Sequence, residues 1–222
     1  MNNMHDYYTT TNMAHICGEV IDRPKLSHKT YGEAFYIFKM GVNRNSGYQD
    51  QINMMVSERT LALDEIEVGN WLHIQGQVRT YNEEVEGRNH LNIVVFVRDF
   101  TYCTDDEPWI NDIFLEGYLC KTPLARTSPL GRRICDMMLA VNRMYNKSDY
   151  IPCIAWGRNA VYSSSLDVGD KIAIRGRLQS REYKKREEDG SVTVKTAFEV
   201  SVTQLEMVDL CLAEDDEIVI KY

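Results

Sequence analysis

Residues 171–181 alternate between apolar or small side chains and polar ones. One face would carry an apolar set and the other a basic and polar set, respectively Ile172, Ile174, Gly176 and Leu178, and Arg175, Arg177, Gln179 and Arg181. A period of two is typical of a strand with one buried face. The pattern therefore predicts a half-buried strand with a basic outer face.

Residues 150–156 alternate in the same way, but both faces are apolar. The inward set would be Ile151, Cys153 and Ala155, and the outward set Tyr150, Pro152, Ile154 and Trp156. Short helices are predicted at 159–166 and 58–66, each followed by a Val-Gly turn into another strand. Strands around one short helix in about 95 residues predict a small closed barrel.

The chain repeats itself at an interval of about 100 residues. At an offset of 99, Gly18 and Pro24 match Gly117 and Pro123, Val42-Asn43-Arg44 matches Val141-Asn142-Arg143, and Asp50 matches Asp149; at an offset of 100, Gly69 and Gly76 match Gly169 and Gly176. This interval is too long for a solenoid unit, so each copy should be a domain. We predict an N-terminal extension at 1–12, domains at 13–104 and 110–207, and an acidic tail at 208–222.

Composition and charge refine this division. The 222 residues are 44% hydrophobic and carry a net charge of -8, which indicates a folded, globular chain. Residues 107–205 hold 15 basic and 12 acidic residues, so a mildly basic module lies between an acidic module and the tail. No apolar run is long enough to cross a bilayer and no leader is evident, so we expect a cytoplasmic protein.

The second repeat resembles the bacterial single-stranded DNA-binding protein family. The resemblance rests on Leu139 to Arg143 (LAVNR), Asp149 to Gly157 (DYIPCIAWG) and Gly176 to Tyr183 (GRLQSREY), in the order that the family shows. It implies a mainly β chain of two tandem OB-fold barrels, each a five-stranded Greek-key barrel with one short helix. Two-barrel members of the family work as homodimers, so it also implies a homodimer with four barrels.

The resemblance places the family's base-stacking positions on Tyr145, Tyr150, Trp156 and Tyr183. Proteins that bind single strands interleave aromatic rings with cations. Candidate phosphate contacts are Arg175, Arg177, Arg181, Lys184 and Lys185, with Arg143 and Arg158 beside the aromatic positions; Arg126, Arg132 and Arg133 flank a turn and serve either phosphate contact or solubility. The alternatives are rings that fill the barrel or an interface, and cations that form a solvated face.

The first repeat departs from this pattern. It has Gln51 and Ser57 at the positions of Tyr150 and Trp156, and the hairpin at 82–87 is acidic. Tyr48 and Trp71 are possible platforms, although packing in the core or at an interface is the preferred explanation. We expect the first domain to bind weakly and mainly to complete the assembly.

The C-terminal residues resemble the acidic tip through which family members recruit replication and repair proteins. The candidate partner-binding residues are Asp215, Asp216, Glu217, Ile218, Val219 and Ile220. The tip lacks the family's long linker and Pro-Phe end, so the Ile-Val-Ile segment is alternatively a strand that docks on a sheet edge.

The sequence offers no catalytic pattern. The five histidines have no metal-ligand spacing, and no phosphate loop or nucleophile elbow occurs. We expect a non-enzyme without cofactor or metal, with six free thiols. The leading hypothesis is a nucleoid-associated protein that binds single-stranded DNA without sequence preference in replication, recombination or repair. The alternative is an OB-fold protein–protein interaction module of a primosome or mobile element, with little or no affinity for nucleic acid.

Overall fold

The computed structural model describes residues 10–60, 66–85, 87–128, 130–186 and 190–208. The predicted tail residues Asp215, Asp216, Glu217, Ile218, Val219 and Ile220 lie outside these ranges, as do Cys211 and most of the helix predicted at 58–66. The five described cysteines, Cys17, Cys103, Cys120, Cys135 and Cys153, are free thiols.

Each half of the chain contributes six strands. In the first half these are β1 (Asn12–Val20), β2 (Lys25–Thr30), β3 (Glu33–Asn43), β4 (Gln49–Ser57), β5 (Trp71–Val85) and β6 (Arg88–Cys103). In the second half they are β7 (Ile110–Leu119), β8 (Leu124–Thr127), β9 (Arg133–Arg143), β10 (Lys147–Trp156), β11 (Lys171–Arg186) and β12 (Val192–Met207), with the helix α1 (Gly157–Ser163) between β10 and β11. The helix begins two residues before the predicted 159–166 and ends three residues earlier.

The two halves have the same topology. The strand order β2-β3-β4-β6-β5-β1 in the first half becomes β8-β9-β10-β12-β11-β7 in the second. Pairing of β1 with β3, and of β7 with β9, closes each half into a barrel of five strands, and the short β2 or β8 extends one edge. The fold is thus two tandem OB-fold barrels, as the sequence predicts.

Two of the repeated glycines, Gly76 and Gly176, lie where paired strands approach closely. A Cβ atom on Gly76 would lie 2.4 Å from the carbonyl oxygen of Phe96, and one on Gly176 would lie 2.3 Å from that of Ser201. Both glycines sit at the bulge where the pairing of the long hairpin shifts its register. Any side chain there would force the strands apart, so the barrel requires glycine at these positions.

One antiparallel ladder between β1 and β7 joins the two barrels. Its register pairs Asn12 with Leu115 and Ile16 with Asn111, so an approximate twofold axis passes through the Ala14–Ile113 pair. The side chains of Asn12 and Asn111 form hydrogen bonds with the backbones of β5 and β11, respectively. Asn12 exchanges two hydrogen bonds of 2.8 Å with the backbone of Val78, and Asn111 makes the equivalent pair with Leu178.

A reciprocal pair of buried aspartates fastens the barrels together. The Asp50 carboxylate accepts a hydrogen bond from the backbone N–H of Ser180 at 2.8 Å, and the Asp149 carboxylate accepts one from that of Thr80 at 2.8 Å. Both aspartates are 1% exposed. Arg44 binds Asp50 with its Nε at 2.6 Å, whereas Arg143 lies 3.7 Å from Asp149. Each carboxylate therefore holds a strand of the other half.

Two residues predicted to face outward are buried. Ile154, in β10 between β9 and β12, is only 3% exposed. Gln179 is buried because its neighbour Ser180 packs against Asp50 of the first half, and its amide Nε2 donates to Glu199 at 2.8 Å. A pattern read along one strand does not register such cover from other strands.

The Asp50 contact gives a test of how the halves are held together. Asp50→Ala should lower the free energy of unfolding by about 2–4 kcal/mol, because it leaves the Arg44 charge and the Ser180 N–H without their buried acceptor. Urea denaturation measures this change. Asp136→Ala is the matched control, because Asp136 is exposed and its ion pair with Arg126 should be worth about 0–1 kcal/mol. Equal losses in the two variants would contradict the assignment.

Candidate nucleic-acid interface

A groove of about 1380 Å³ lies on the second barrel. It runs along the ends of β9 and β10, the start of α1, and the outer faces of β11 and β12. Its charged walls are seven arginines and two glutamates: Arg44, Arg126, Arg132, Arg133, Arg158, Arg177 and Arg181, with Glu182 and Glu199. We call this surface the main groove.

The arginines of the main groove fall into two sets. Arg126 pairs with Asp136, Arg44 pairs with Asp50, and Arg181 lies 3.9 Å from Glu199. The other set is Arg132, Arg133, Arg158 and Arg177, and none of these has an ion pair among the described residues. The Nε of Arg177 is also buried without a hydrogen-bond partner there. The excess of unpaired cations makes the groove attractive to a polyanion.

Trp156 provides an aromatic surface within this field. It is the last residue of β10, with extended backbone angles, and Gly157 follows it in the left-handed region at φ +58° to begin α1. The indole Nε1 donates to the hydroxyl of Ser201 at 3.2 Å, which fixes the ring orientation and leaves 38% of the residue exposed. A ring held in this way can stack on a base without losing further freedom.

The first half contributes a second ring to the same groove. Tyr48 is 45% exposed, and the guanidinium of Arg44 lies 4.7 Å from the centre of its ring. Tyr48 is therefore not packed in the core, because Asp50 holds the β3–β4 hairpin of the first half against β11 of the second. Packing of Tyr48 at an interface between chains stays a prediction. Trp71 does pack, 4.2 Å from the ring of Trp109. Pairing between distant segments brings Tyr48 to the groove, and a linear pattern carries no signal for it.

The structure brings Trp156, Arg158, Arg177 and Arg181 together in the main groove, along with Arg126, Arg132 and Arg133 from the predicted turn. Tyr150 and Tyr183 are exposed but do not line it. Arg175, on the same strand as Arg177, lies 3.3 Å from Asp112 outside the groove. Arg143 and Tyr145 line a smaller cavity between the halves. Lys184 and Lys185 have their backbones in β11, which extends to Arg186.

The corresponding face of the first barrel has different chemistry. Ser57, in the position of Trp156, is buried and donates to Glu33. Instead, the ring of Phe35 lies between those of His28 at 5.0 Å and Phe96 at 6.0 Å, and the Arg79 guanidinium lies 3.8 Å from the Phe96 ring centre. Phe35 and Phe96 are not among the sequence-predicted residues. The second repeat has Ile134 and Ser201 at the corresponding positions, so comparison of the repeats gave no signal for these two rings.

Two further features bear on function. In the described part of the chain, no three His, Cys, Asp or Glu side chains are arranged to hold a metal ion. His15 and His73, whose rings lie 4.3 Å apart, are partly buried on the outer face of β1 and β5. Burial, followed by the neighbouring His73, lowers the pKa of His15. Among the same residues, no helix has the length and apolar character needed to span a membrane.

Two Greek-key barrels joined through β1 and β7 place the chain in the class of tandem OB-fold proteins. The model of the "Single-strand binding protein family" matches residues 110–208. The chain belongs to this family, since it is 30% identical over 84 residues to single-stranded DNA-binding protein B of Bacillus subtilis (strain 168) and covers 74% of that relative.

Other relatives match a similar length of the chain. Single-stranded DNA-binding protein 1 of Staphylococcus aureus (strain COL) is 35% identical over 85 residues, which are 35% of this chain and 51% of that protein. The chain thus spans about half the length of several curated relatives. The wild-type single-stranded DNA binding protein from Thermus aquaticus superposes with a TM-score of 0.71 over 89% of this chain and 93% of that one, at 20% identity. That superposition supports the two-barrel fold.

Proposed function

We propose that this chain binds single-stranded DNA without sequence preference through the main groove. The observation that carries the proposal is the exposed ring of Trp156 among four arginines that have no ion pair in the described residues. Rings stack on any base, and arginines contact any phosphate, so neither group selects a sequence. The names of the relatives support the same activity.

The first half contributes to binding through Tyr48 and Arg44. Tyr48 offers a second ring to a strand lying in the main groove, and Arg44 keeps its charge there while it holds Asp50. The binding site therefore belongs to the pair of barrels, with boundaries near 13–104 and 110–207, and the second barrel supplies most of it.

We further propose that two chains form a homodimer with four barrels and that it serves replication, recombination or repair. Family resemblance supports both statements, and the tail residues 215–220 are the proposed contact for partner proteins. The expected sedimentation mass is that of two chains; a mass of one chain would contradict the dimer.

Tryptophan fluorescence tests binding in the main groove. Titration with unlabelled oligo-dT of increasing length should quench the emission, because a stacked base contacts Trp156. Trp156→Ala should remove most of the quenching and lower the affinity for a labelled oligo-dT by roughly 5- to 150-fold, the equivalent of about 1–3 kcal/mol of stacking.

Two variants control this experiment. Trp71→Phe should keep the quenching, because Trp71 packs against Trp109 away from the groove. Trp156→Phe removes the hydrogen bond to Ser201 but keeps a ring, so it should retain most of the affinity. Undiminished affinity in Trp156→Ala would argue against stacking there, and no binding at all by the wild-type chain would favour the protein-interaction alternative.

A pair of arginines on one strand tests the phosphate contacts. Arg177→Gln should weaken oligo-dT binding and reduce the slope of log K against log salt concentration by about 0.7, the value of one phosphate contact with a single strand. Arg175→Gln removes the same charge from the same strand, but Arg175 lies by Asp112 outside the groove. It should change neither the affinity nor the slope by a comparable amount, and equal effects would show that only net charge matters.

A further inference from the structure

A cavity of about 280 Å³ lies between the two halves, apart from the main groove. The first half supplies Arg79 from β5 and Arg98 from β6. The second half supplies Arg143, Tyr145 and Lys147 from the β9–β10 turn and the residues beside it. We call it the inter-barrel cavity. Neither barrel contains it alone.

The charge in the inter-barrel cavity is unbalanced. Its lining holds four cations, Arg79, Arg98, Arg143 and Lys147, and one carboxylate, that of Asp149. This carboxylate already accepts hydrogen bonds from the backbone N–H of Thr80 at 2.8 Å and from its hydroxyl at 3.3 Å. It lies 3.7 Å from Arg143 and also opposes the lowering of the pKa of Arg79 by burial, so a single negative charge is shared between two of the three arginines.

The two innermost arginines have unused donors. The Nε atoms of Arg79 and Arg143 are buried and have no hydrogen-bond partner among the described residues. Burial lowers the pKa of the Arg79 guanidinium to about 10, and the positive charge of Arg143 is the next largest cause. Arg79 is still protonated at neutral pH. Buried donors without acceptors and neighbouring like charges both destabilise the folded protein, unless an anion accepts hydrogen bonds from the donors and offsets the charge.

The equivalent residues of the other half line the main groove and have their side-chain donors in hydrogen bonds. The approximate twofold axis relates Arg143 to Arg44 and Arg79 to Gln179. Arg44 has Asp50 at 2.6 Å, and Gln179 is uncharged and bonded to Glu199. The cavity thus has buried donors without hydrogen-bond partners among the described residues, where the counterpart residues have such partners. This contrast between two copies of one structure points to an anionic ligand.

We propose that the inter-barrel cavity is a phosphate-binding site, in which Arg79, Arg98 and Arg143 hold the phosphate oxygens. Tyr145 lines the cavity and is 85% exposed, so its ring is accessible to the base of a ligand whose phosphate lies in the cavity. A phosphodiester of a bound DNA strand fits this chemistry, and so does a free phosphate ester. Through Arg79 and Arg98, the first barrel would take part in binding despite its acidic hairpin. The proposal rests on the proposed function only if the phosphate belongs to DNA.

The test uses the full chain and oligo-dT of two lengths, one short enough to fill the main groove alone and one several times longer. If the phosphate belongs to a bound strand, Arg79→Gln should leave the affinity for the short oligonucleotide within about twofold and lower that for the long one roughly tenfold. It should also reduce the salt slope for the long one by about 0.7 per lost phosphate contact. Arg79→Lys should restore part of the loss, and Lys29→Gln, an exposed cation of β2, should have little effect.

A second arm uses sodium pyrophosphate against sodium chloride at equal ionic strength. A rise in the thermal unfolding midpoint that Arg79→Gln abolishes and Arg177→Gln preserves, with no effect of Arg79→Gln on either oligonucleotide, would identify a free phosphate compound as the ligand. If the Arg79→Gln protein folds and changes neither the affinity for the oligonucleotides nor the stabilisation by pyrophosphate, the proposal is wrong. The proposed function fails separately, if Trp156→Ala leaves binding of the short oligonucleotide unchanged.

Discussion

The antiparallel pairing of β1 with β7 is the constraint on which the rest of the structure depends. It converts two barrels into one continuous sheet and fixes their separation and rotation through a backbone ladder. Asp50 and Asp149 can reach Ser180 and Thr80 only because this ladder sets the register. The main groove and the inter-barrel cavity both take residues from each half, so both follow from the same pairing.

Duplication explains which residues are repeated and which differ. The repeated glycines and the aspartates are required by close strand crossings and by the contact between barrels, and both halves need them. Groove residues carry no such requirement. The second barrel has Trp156 and Gln179 where the first has Ser57 and Arg79, and the two faces differ accordingly.

Strand alternation and the repeat were sufficient to predict the barrels, because a strand with one buried face has a period of two and because both barrels need glycine at the same positions. The same alternation placed Trp156 and Arg177 correctly on outward positions. It did not predict that Ile154 and Gln179, which line the same groove, are buried. It also could not place Tyr48 in the main groove or separate Arg175 from Arg177, because these depend on contacts across the chain.

The approximate twofold axis has a consequence for how such a protein can change. In a dimer of identical single barrels, every substitution at the contact appears on both sides at once, so a charge that helps one side must also be tolerated by the other. Here a substitution alters one side only. Arg44 is hydrogen-bonded to Asp50, whereas its counterpart Arg143 lines a cavity. Two identical subunits would have the same residues on both sides and could not differ in this way.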